Sequence, residues 1–503
     1  MNIVFRVDAS LQIGTGHLVR CLTLADILKR RGANTFFLSR QIPDHLRQKV
    51  VEKGHAFQLL ESPPLTSGSV NIAHAQWLGT SQEADAQDTL TAVAGKSVDW
   101  LVVDHYALDA CWESMLRPAV NRVMVIDDIA DRVHDCDLLL DQNFYQEANL
   151  RYVGKVPEHC RLLLGPRYAL LREEFQALHQ KITPRIGPVG RILVFFGGVD
   201  EHNNTEVTLK ALTEIGLEGV AIDVVIGVQH PAIKNIEAIC LQYRFNCHAQ
   251  TDRMAELMAS ADLSIGAGGS AMWERCSLGL PTICISVAEN QTQQIADAAG
   301  EGWVVAPESD KGLAHIIRLH MLSIIENARL RHFVSSSGIS AVDGQGAERV
   351  AAVMGCTGVN LRVAAEDDCE AIFNWRNHDA IRAVSKNPSP ISWEDHVAWF
   401  SSVLRDPDRV LLIAERDSVP VGVLRFDIEH AKAEISIYIV PEGTPAVRGR
   451  DLLQSGEIWI SQHYPEVRTI RANVMGGNTR SQNLFLAAGY DIDHTTYFKK
   501  IHQ

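Results

Sequence analysis

From Met1 to about Met354, short unbroken apolar runs alternate with stretches in which apolar residues recur every three or four positions. Asn2-Ile-Val-Phe-Arg-Val7 reads as a buried strand, and Leu22, Ala25 and Leu28 place a helix over Leu18–Arg31. A second strand is expected at Asn34–Arg40, followed by a proline-opened helix at Pro43–Lys53. The runs at 99–104, 122–128, 191–196, 221–227, 262–265 and 282–286 predict further strands, with helices at Ala271–Leu278 and from Glu289 onward. Such alternation predicts α/β layers with parallel sheets. It restarts near Gly190, so two Rossmann-like domains are expected, at 1–185 and 186–355.

The pattern then changes. Gly355–Gly358 reads as a linker, and Asn360-Leu-Arg-Val363 opens a region of longer strands, at 410–414, 421–426, 434–440 and 468–474. A helix over Glu366–Arg376 presents Ile372 and Trp375 on one face. A third domain of α+β type is therefore expected at 359–503.

Polar residues cluster where the first strands end. Asp8-Ala-Ser-Leu-Gln-Ile-Gly14-Thr15-Gly16-His17-Leu-Val-Arg20 joins a strand to a helix start through a glycine-rich turn. Backbone N–H groups at such a turn favour a phosphate or a developing anion, and the positive end of the helix dipole favours a neutral imidazole at His17. A neutral imidazole is the form that accepts a proton. Val19 stands where the dinucleotide fingerprint needs its third glycine, which disfavours a nicotinamide enzyme. Asp104-His105-Tyr106 and Asp127-Asp128 end two later strands, at the edge where open α/β sheets place ligands. Asp pairs also serve as caps and metal ligands. Gly197-Gly198-Val199-Asp200 reads as a second phosphate-capable turn, and Gly266-Ala-Gly268-Gly269-Ser270 precedes a helix carrying Trp273 and Glu274.

Composition narrows the classes. A net charge of −14 over 503 residues argues against nucleic acid or an anionic membrane as the main partner. No apolar run approaches the roughly 20 residues of a membrane span. The ten cysteines form no Cys-x-x-Cys pair, which disfavours a zinc site, and no metal is expected. Scattered thiols and the absence of a signal-like start point to the cytoplasm.

Taken together, Arg6-x-Asp8-x-Ser10-x-x-Ile13-Gly14-x-Gly16-His17-x-x-Arg20, Asp127-Asp128, Leu164-Gly-Pro-Arg-Tyr168, the Gly-x-Gly-Gly-Ser-x-x-Trp-Glu segment, Asn290-Gln291 and Asp343-Gly-x-Gly346 form an ordered set. The set resembles the UDP-2,4-diacetamido-2,4,6-trideoxy-β-L-altropyranose hydrolases of pseudaminic acid biosynthesis, over about Met1–Met354. The resemblance implies a GT-B-like fold and hydrolysis of a UDP-amino-sugar. His17 would act as general base for water attacking C1, with inversion and release of UDP. It further implies substrate contacts from Asp8, Gly14, Thr15, Gly16, Arg20, Asp104, Tyr106, Gly197, Gly198, Gly268, Gly269, Ser270, Asn290 and Gln291, with Glu274 on the ribose hydroxyls.

Residues 359–503 resemble the GNAT N-acetyltransferases, through Asn478-x-x-Ser481-x-x-Leu484-Phe485 and Gly489-Tyr490. Trp375-Arg376-Asn377 and Trp393-Glu-x-His396-x-x-Trp399-Phe400 are similar to the subgroup that acetylates the 4-amino-sugar precursor in the same pathway. That implies acetyl-CoA as co-substrate, held by Ile439, Arg448, Gly449, Arg450, Asn478, Ser481 and Tyr490. Two positions depart from the family. Thr444–Gly449 keeps only Gly449 of the usual pyrophosphate turn, and Phe485 stands where many relatives carry a proton-donating Tyr. The readings that remain open are a bifunctional hydrolase and acetyltransferase, a GT-B glycosyltransferase using a UDP-sugar donor, and a sugar-nucleotide-binding protein with an inactive GNAT module.

Overall fold

A computed structural model describes residues 1–10, 12–61, 74–228, 230–307, 312–441 and 447–493. Leu11 of the first glycine-rich turn, Thr444–Ala446 of the expected pyrophosphate turn, and residues 494–503 of the third region lie outside the described residues. The chain divides into two compact units, Met1–Ala351 and Ala352–Gln503.

The first unit holds two fully parallel sheets. One is built from β1 (Asn2–Val7), β2 (Asn34–Ser39), β3 (Ala56–Leu59), β4 (Trp100–Asp104), β5 (Val123–Ile126), β6 (Leu138–Asp141) and β7 (Arg161–Leu164). Their spatial order is β3-β2-β1-β4-β5-β6-β7, with every neighbouring pair parallel. The order reverses direction at β1, so the crevice beside the ends of β1 and β4 is the switch point where such sheets bind ligands. The second sheet contains β8 (Arg191–Phe195), β9 (Ala221–Ile226), β10 (Asn246–Ala249), β11 (Leu263–Ala267) and β12 (Thr282–Ile285) in the order β10-β9-β8-β11-β12. These are the doubly wound α/β layers that the alternation of runs implies.

The inner strands are apolar because helices cover both faces. Val4, Leu101, Val103, Val123 and Val125 meet Trp112 and Leu116 in one core. Ile192, Val194, Val224 and Ile265 meet Leu209, Leu212 and Ile317 in another. The helix expected at Leu18–Arg31 starts earlier, at Gly16, which puts His17 in its first turn.

The second unit is a mixed sheet of β13 (Asn360–Val363), β14 (Arg409–Arg416), β15 (Val419–Glu429), β16 (Lys432–Ile439) and β17 (Thr469–Ala472). The first four pair antiparallel, and β17 joins β16 in parallel. The helix Gly449–His463 lies close against this sheet. Gly456 permits the approach, because a Cβ there would meet Leu424 Cδ2 at 2.5 Å. The stretch read as a helix from Glu366 begins instead as a single 3₁₀ turn, Glu366–Asp368, before the helix Cys369–Asn377. Asp368 turns back onto the backbone N–H of Ala365 and onto Arg362, which holds that tighter turn. No helix among the described residues is long and apolar enough to cross a membrane.

Each unit has its own buried core, so each is expected to fold alone. Residues 1–351 and 352–503, expressed separately, should each melt in one cooperative calorimetric transition. Loss of that transition in either fragment would contradict this.

Candidate active site

The ends of β1, β4 and β5 bring together His17, Arg20, Asp104, Tyr106 and Asp128. Asp104 is fully buried at the end of β4, and its carboxylate accepts three strong hydrogen bonds. Arg20 donates through Nε at 2.6 Å and Nη2 at 2.6 Å, and His17 Nδ1 lies 2.5 Å from Oδ1. Burial alone would raise the Asp104 carboxyl, but Arg20 and then His17 pull it well below the ordinary carboxylate range. Asp104 is thus an ionised acceptor. In the neutral ring, Nδ1 of His17 carries the hydrogen that Asp104 accepts and Nε2 holds the lone pair. Nε2 makes no hydrogen bond among the described residues.

Arg20 continues the chain of charges, with Nη1 donating to Asp128 at 2.9 Å. Tyr106 donates to the other oxygen of Asp128, and its ring meets His17 edge-on at 4.6 Å. Burial, and then Asp128, push the Tyr106 phenol far up, so it stays a donor. Trp77 stacks on Tyr106 at 5.7 Å, and His74 lies 4.3 Å from Trp77.

A second ionic cluster supports the turn from behind. Arg6, fully buried within β1, grips Asp8 at 2.6 Å and Asp85 at 2.7 Å. Asp8 also accepts the backbone N–H of Arg40 at 2.7 Å. Expected among the substrate contacts, Asp8 therefore faces inward, and its buried carboxylate is already taken up by the chain. Its effect is to fix where β1 ends. Asp127, also fully buried, holds Arg132 and the N–H of Ala130.

The helix ends divide into two kinds. The helix Gly16–Arg30 has no side-chain cap and no acid in its first turn, and neither has the helix Ser270–Ser277. Their free N–H groups suit an anion. The end that follows Gly197-Gly198 differs. Asp200 accepts from the N–H groups of Asn204 at 3.0 Å and Thr205 at 2.8 Å, with His230 behind it at 3.2 Å. A carboxylate of the chain already fills the place read as phosphate-capable, which corrects that expectation for the helix Asn204–Ile215. Gly197 and Gly198 line only the preceding turn, with no atom within 4 Å of an added Cβ.

Just before Ser270, Gly268 and Gly269 lie against Gln291. Gly269 has φ +70°, and a Cβ on Gly268 would strike Ile295 at 2.8 Å and Gln291 Oε1 at 3.2 Å. Asn290 is exposed on the same helix start as Gln291. Glu274 lies 3.5 Å from Arg172, and burial raises its carboxyl against the pull of Arg172 and Arg275. Thr15 caps the Gly16 helix through its backbone only, and Gly14, at φ +79°, closes a tight turn onto Ser10 O at 2.8 Å.

In the second unit, Ile439 ends β16, Arg448 and Gly449 start the helix Gly449–His463, and Arg450 follows them. Asn478 caps the helix Thr479–Ala487, its Oδ1 accepting from Ser481 N at 3.1 Å, so that oxygen is occupied internally. Phe485 is buried and meets Tyr490 at 5.0 Å. Burial, and then Glu457, push the Tyr490 phenol up.

Residues that sequence pattern did not single out also sit at the carboxyl end of the first sheet. They are Asp141, Gln142 and Asn143, at the end of β6. The signal was present, since Leu138-Leu-Leu-Asp141 is an apolar run ending in polar groups, as in β4 and β5.

No protein-family model matches this chain. An uncharacterized protein of Methanocaldococcus jannaschii is 21% identical, across 97% of this chain and 96% of its own length. The Bacillus subtilis spore coat polysaccharide biosynthesis protein SpsG is 24% identical over 70% of this chain and 98% of its own. A UDP-2,4-diacetamido-2,4,6-trideoxy-β-L-altropyranose hydrolase of Campylobacter jejuni is 24% identical over 61% of this chain and 98% of its own. Among solved structures, MurG of Acinetobacter baumannii is 14% identical with a TM-score of 0.47, covering 71% of this chain and 99% of that one. The Vibrio cholerae spermidine N-acetyltransferase, solved with CoA and spermine, is 20% identical with a TM-score of 0.24, covering 26% of this chain and 79% of that one.

Asp141 gives the site a pH signature. Burial, and then Asp128, push its carboxyl up to about 7, against the Asn143 N–H and Arg151. The folded state therefore holds an extra proton between the unfolded value, about 4, and about 7. This contribution to stability is full below pH 4 or so and is lost as pH rises through that window. Asp141→Asn mimics the neutral acid. Its unfolding free energy should exceed the parent's at pH 8 by an amount on the order of 2–4 kcal/mol, with no gain near pH 4. An equal effect at both pH values would refute the assignment.

Proposed function

We propose that the first unit hydrolyses a UDP-linked diacetamido-trideoxy sugar at C1, and that the second unit N-acetylates the corresponding UDP-4-amino-sugar from acetyl-CoA. The observation that carries the hydrolase reading is the 2.5 Å contact of His17 Nδ1 with an ionised, buried Asp104. In the neutral ring this leaves Nε2 as a basic nitrogen in the first turn of a helix without a side-chain cap, at the sheet's switch point. The C. jejuni hydrolase, which aligns along nearly its whole length, supports this substrate class, and SpsG, likewise aligned, supports a part in polysaccharide biosynthesis.

In this reading Nε2 of His17 takes a proton from water as the water oxygen bonds to C1 of the sugar. The bond between C1 and the UDP oxygen breaks, and the anomeric configuration inverts. Asp104 holds the ring in place and faces the imidazolium that forms. Arg20 keeps Asp104 ionised. UDP departs with its negative charge toward the N–H groups that start the helix Ser270–Ser277, and Glu274 meets the ribose hydroxyls. No metal ion is required by this sequence of steps.

For the second unit, support comes from the mixed sheet with its parallel β16–β17 pair. Acetyl-CoA would lie along the β16 end and the start of the helix Gly449–His463. Buried Phe485 supplies no proton, so the departing thiolate would be protonated by another group.

With the UDP-diacetamido sugar as substrate, His17→Ala should lower kcat by at least about 100-fold while UDP affinity stays within about twofold. Asp104→Asn should cause a comparable fall in kcat, by misdirecting the ring. Turnover near the parent rate in either variant would remove the base assignment. A glycosyltransferase would instead release UDP only when a sugar acceptor is added. With the UDP-4-amino-sugar, UDP should appear only when acetyl-CoA is present, together with CoA. Absence of CoA release would reduce the second unit to a binding module.

A further inference from the structure

The segment after β6 ties the edge of the first sheet to the turn that starts the helix Ser270–Ser277. Asn143 Oδ1 accepts from Trp273 Nε1 at 3.1 Å, and both side chains are buried. The N–H of Gln146 donates to Asp297 at 3.1 Å, and Phe144 packs on Trp303 at 4.5 Å. Within this junction Gln142 is 3% exposed and makes two hydrogen bonds. Its Oε1 accepts from Leu170 N at 3.0 Å, and its Nε2 donates to Ser270 Oγ at 3.0 Å.

The direction of these bonds is fixed. A backbone N–H can only donate, so the amide atom facing Leu170 is the oxygen and the one facing Ser270 is the nitrogen. Ser270 Oγ is therefore an acceptor toward Gln142. Its own hydrogen must point elsewhere, and Ser270 Oγ makes no other hydrogen bond among the described residues. It is the first residue of the uncapped helix end, beside Gly268 and Gly269. A hydroxyl whose acceptor side is filled by a rigid amide is oriented as a donor before any ligand arrives.

We propose that Gln142 is a positioning residue that fixes the Ser270 hydroxyl as a donor to the diphosphate of the bound nucleotide. This rests on the reading of the first unit as acting on a UDP-sugar. A residue of the catalytic sheet thereby sets a leaving-group contact in the nucleotide sheet. Gln142 itself touches Ser270 and Leu170, and its effect on the ligand passes through Ser270.

The test is a double-mutant cycle on the full chain, with Gln142→Met and Ser270→Ala, reading UDP and uridine affinities by calorimetry. Each single variant should weaken UDP about tenfold, the worth of one charge-assisted hydrogen bond, and leave uridine within about twofold. The double variant should bind UDP no more weakly than Ser270→Ala alone. Three results would overturn the proposal. They are parent-like UDP affinity in Gln142→Met, an equal loss for uridine, or a loss in Gln142→Met that persists in the Ser270→Ala background. If the parent protein binds UDP no better than uridine, the proposal falls together with the reading beneath it. Ser270 is half-buried at the helix start and Ser270→Ala removes only its hydroxyl, so its own UDP loss reads that group even where Gln142→Met lowers stability.

Discussion

Asp104 is a charge with no access to water. A lone carboxylate so placed would take up a proton, because desolvation penalises the ion. Arg20 prevents this by gripping both oxygens at 2.6 Å. That grip fixes much of the rest. It sets the face of β4 against the Gly16–Arg30 helix, and it leaves one lobe of Oδ1 for His17 at 2.5 Å. It also directs the remaining guanidinium nitrogen to Asp128. Breaking a buried pair from one side strands the other charge, at a cost of about 3–5 kcal/mol. The arrangement is accordingly all or nothing, and the orientation of His17 depends on it.

Behind that cluster lies a second, Arg6 with Asp8, Asp85 and Arg40, which holds the loop that His17 follows. Two layers of paired charge under a glycine-rich turn make a rigid floor. The floor matters because free backbone N–H groups at the helix start can meet an anion only if they do not move to find one. The helix Ser270–Ser277 presents a comparable open end. The helix Asn204–Ile215 does not, since Asp200 closes it. Of the helix starts that follow the turns Gly14–Gly16, Gly197–Gly198 and Gly266–Gly269, the first and last have no side-chain cap and the middle one is closed by Asp200.

Much of this was legible in the residues. Long apolar runs marked β1, β4, β8 and β9, and the glycine-rich turns marked the helix starts. Short strands such as β3 and β10, with four residues each and mixed exposure, carry no run long enough to read. The site was legible where its residues share a motif, as with His17 and Arg20, three positions apart on one helix. It was not legible where partners come from distant segments. Asp104 meets His17 across 87 positions, and Gln142 meets Ser270 across 128. Nor does a Gly-Gly-x-Asp pattern say whether its Asp turns outward to a ligand or back onto the helix. That depends on the backbone at Asp200, which has φ +45°. In the second unit, Phe485 was visible as a departure, and its burial against Tyr490 explains what it does there instead.

The account stands on water, activated by His17, attacking carbon rather than phosphorus. The direct measurement is hydrolysis of the UDP-diacetamido sugar in oxygen-18 water, followed by mass spectrometry of both products and immediate NMR of the sugar anomer. The account predicts the label in the C1 hydroxyl of the sugar, none in UDP, and an inverted first-formed anomer. Label in the UDP phosphate, or retention at C1, would contradict it.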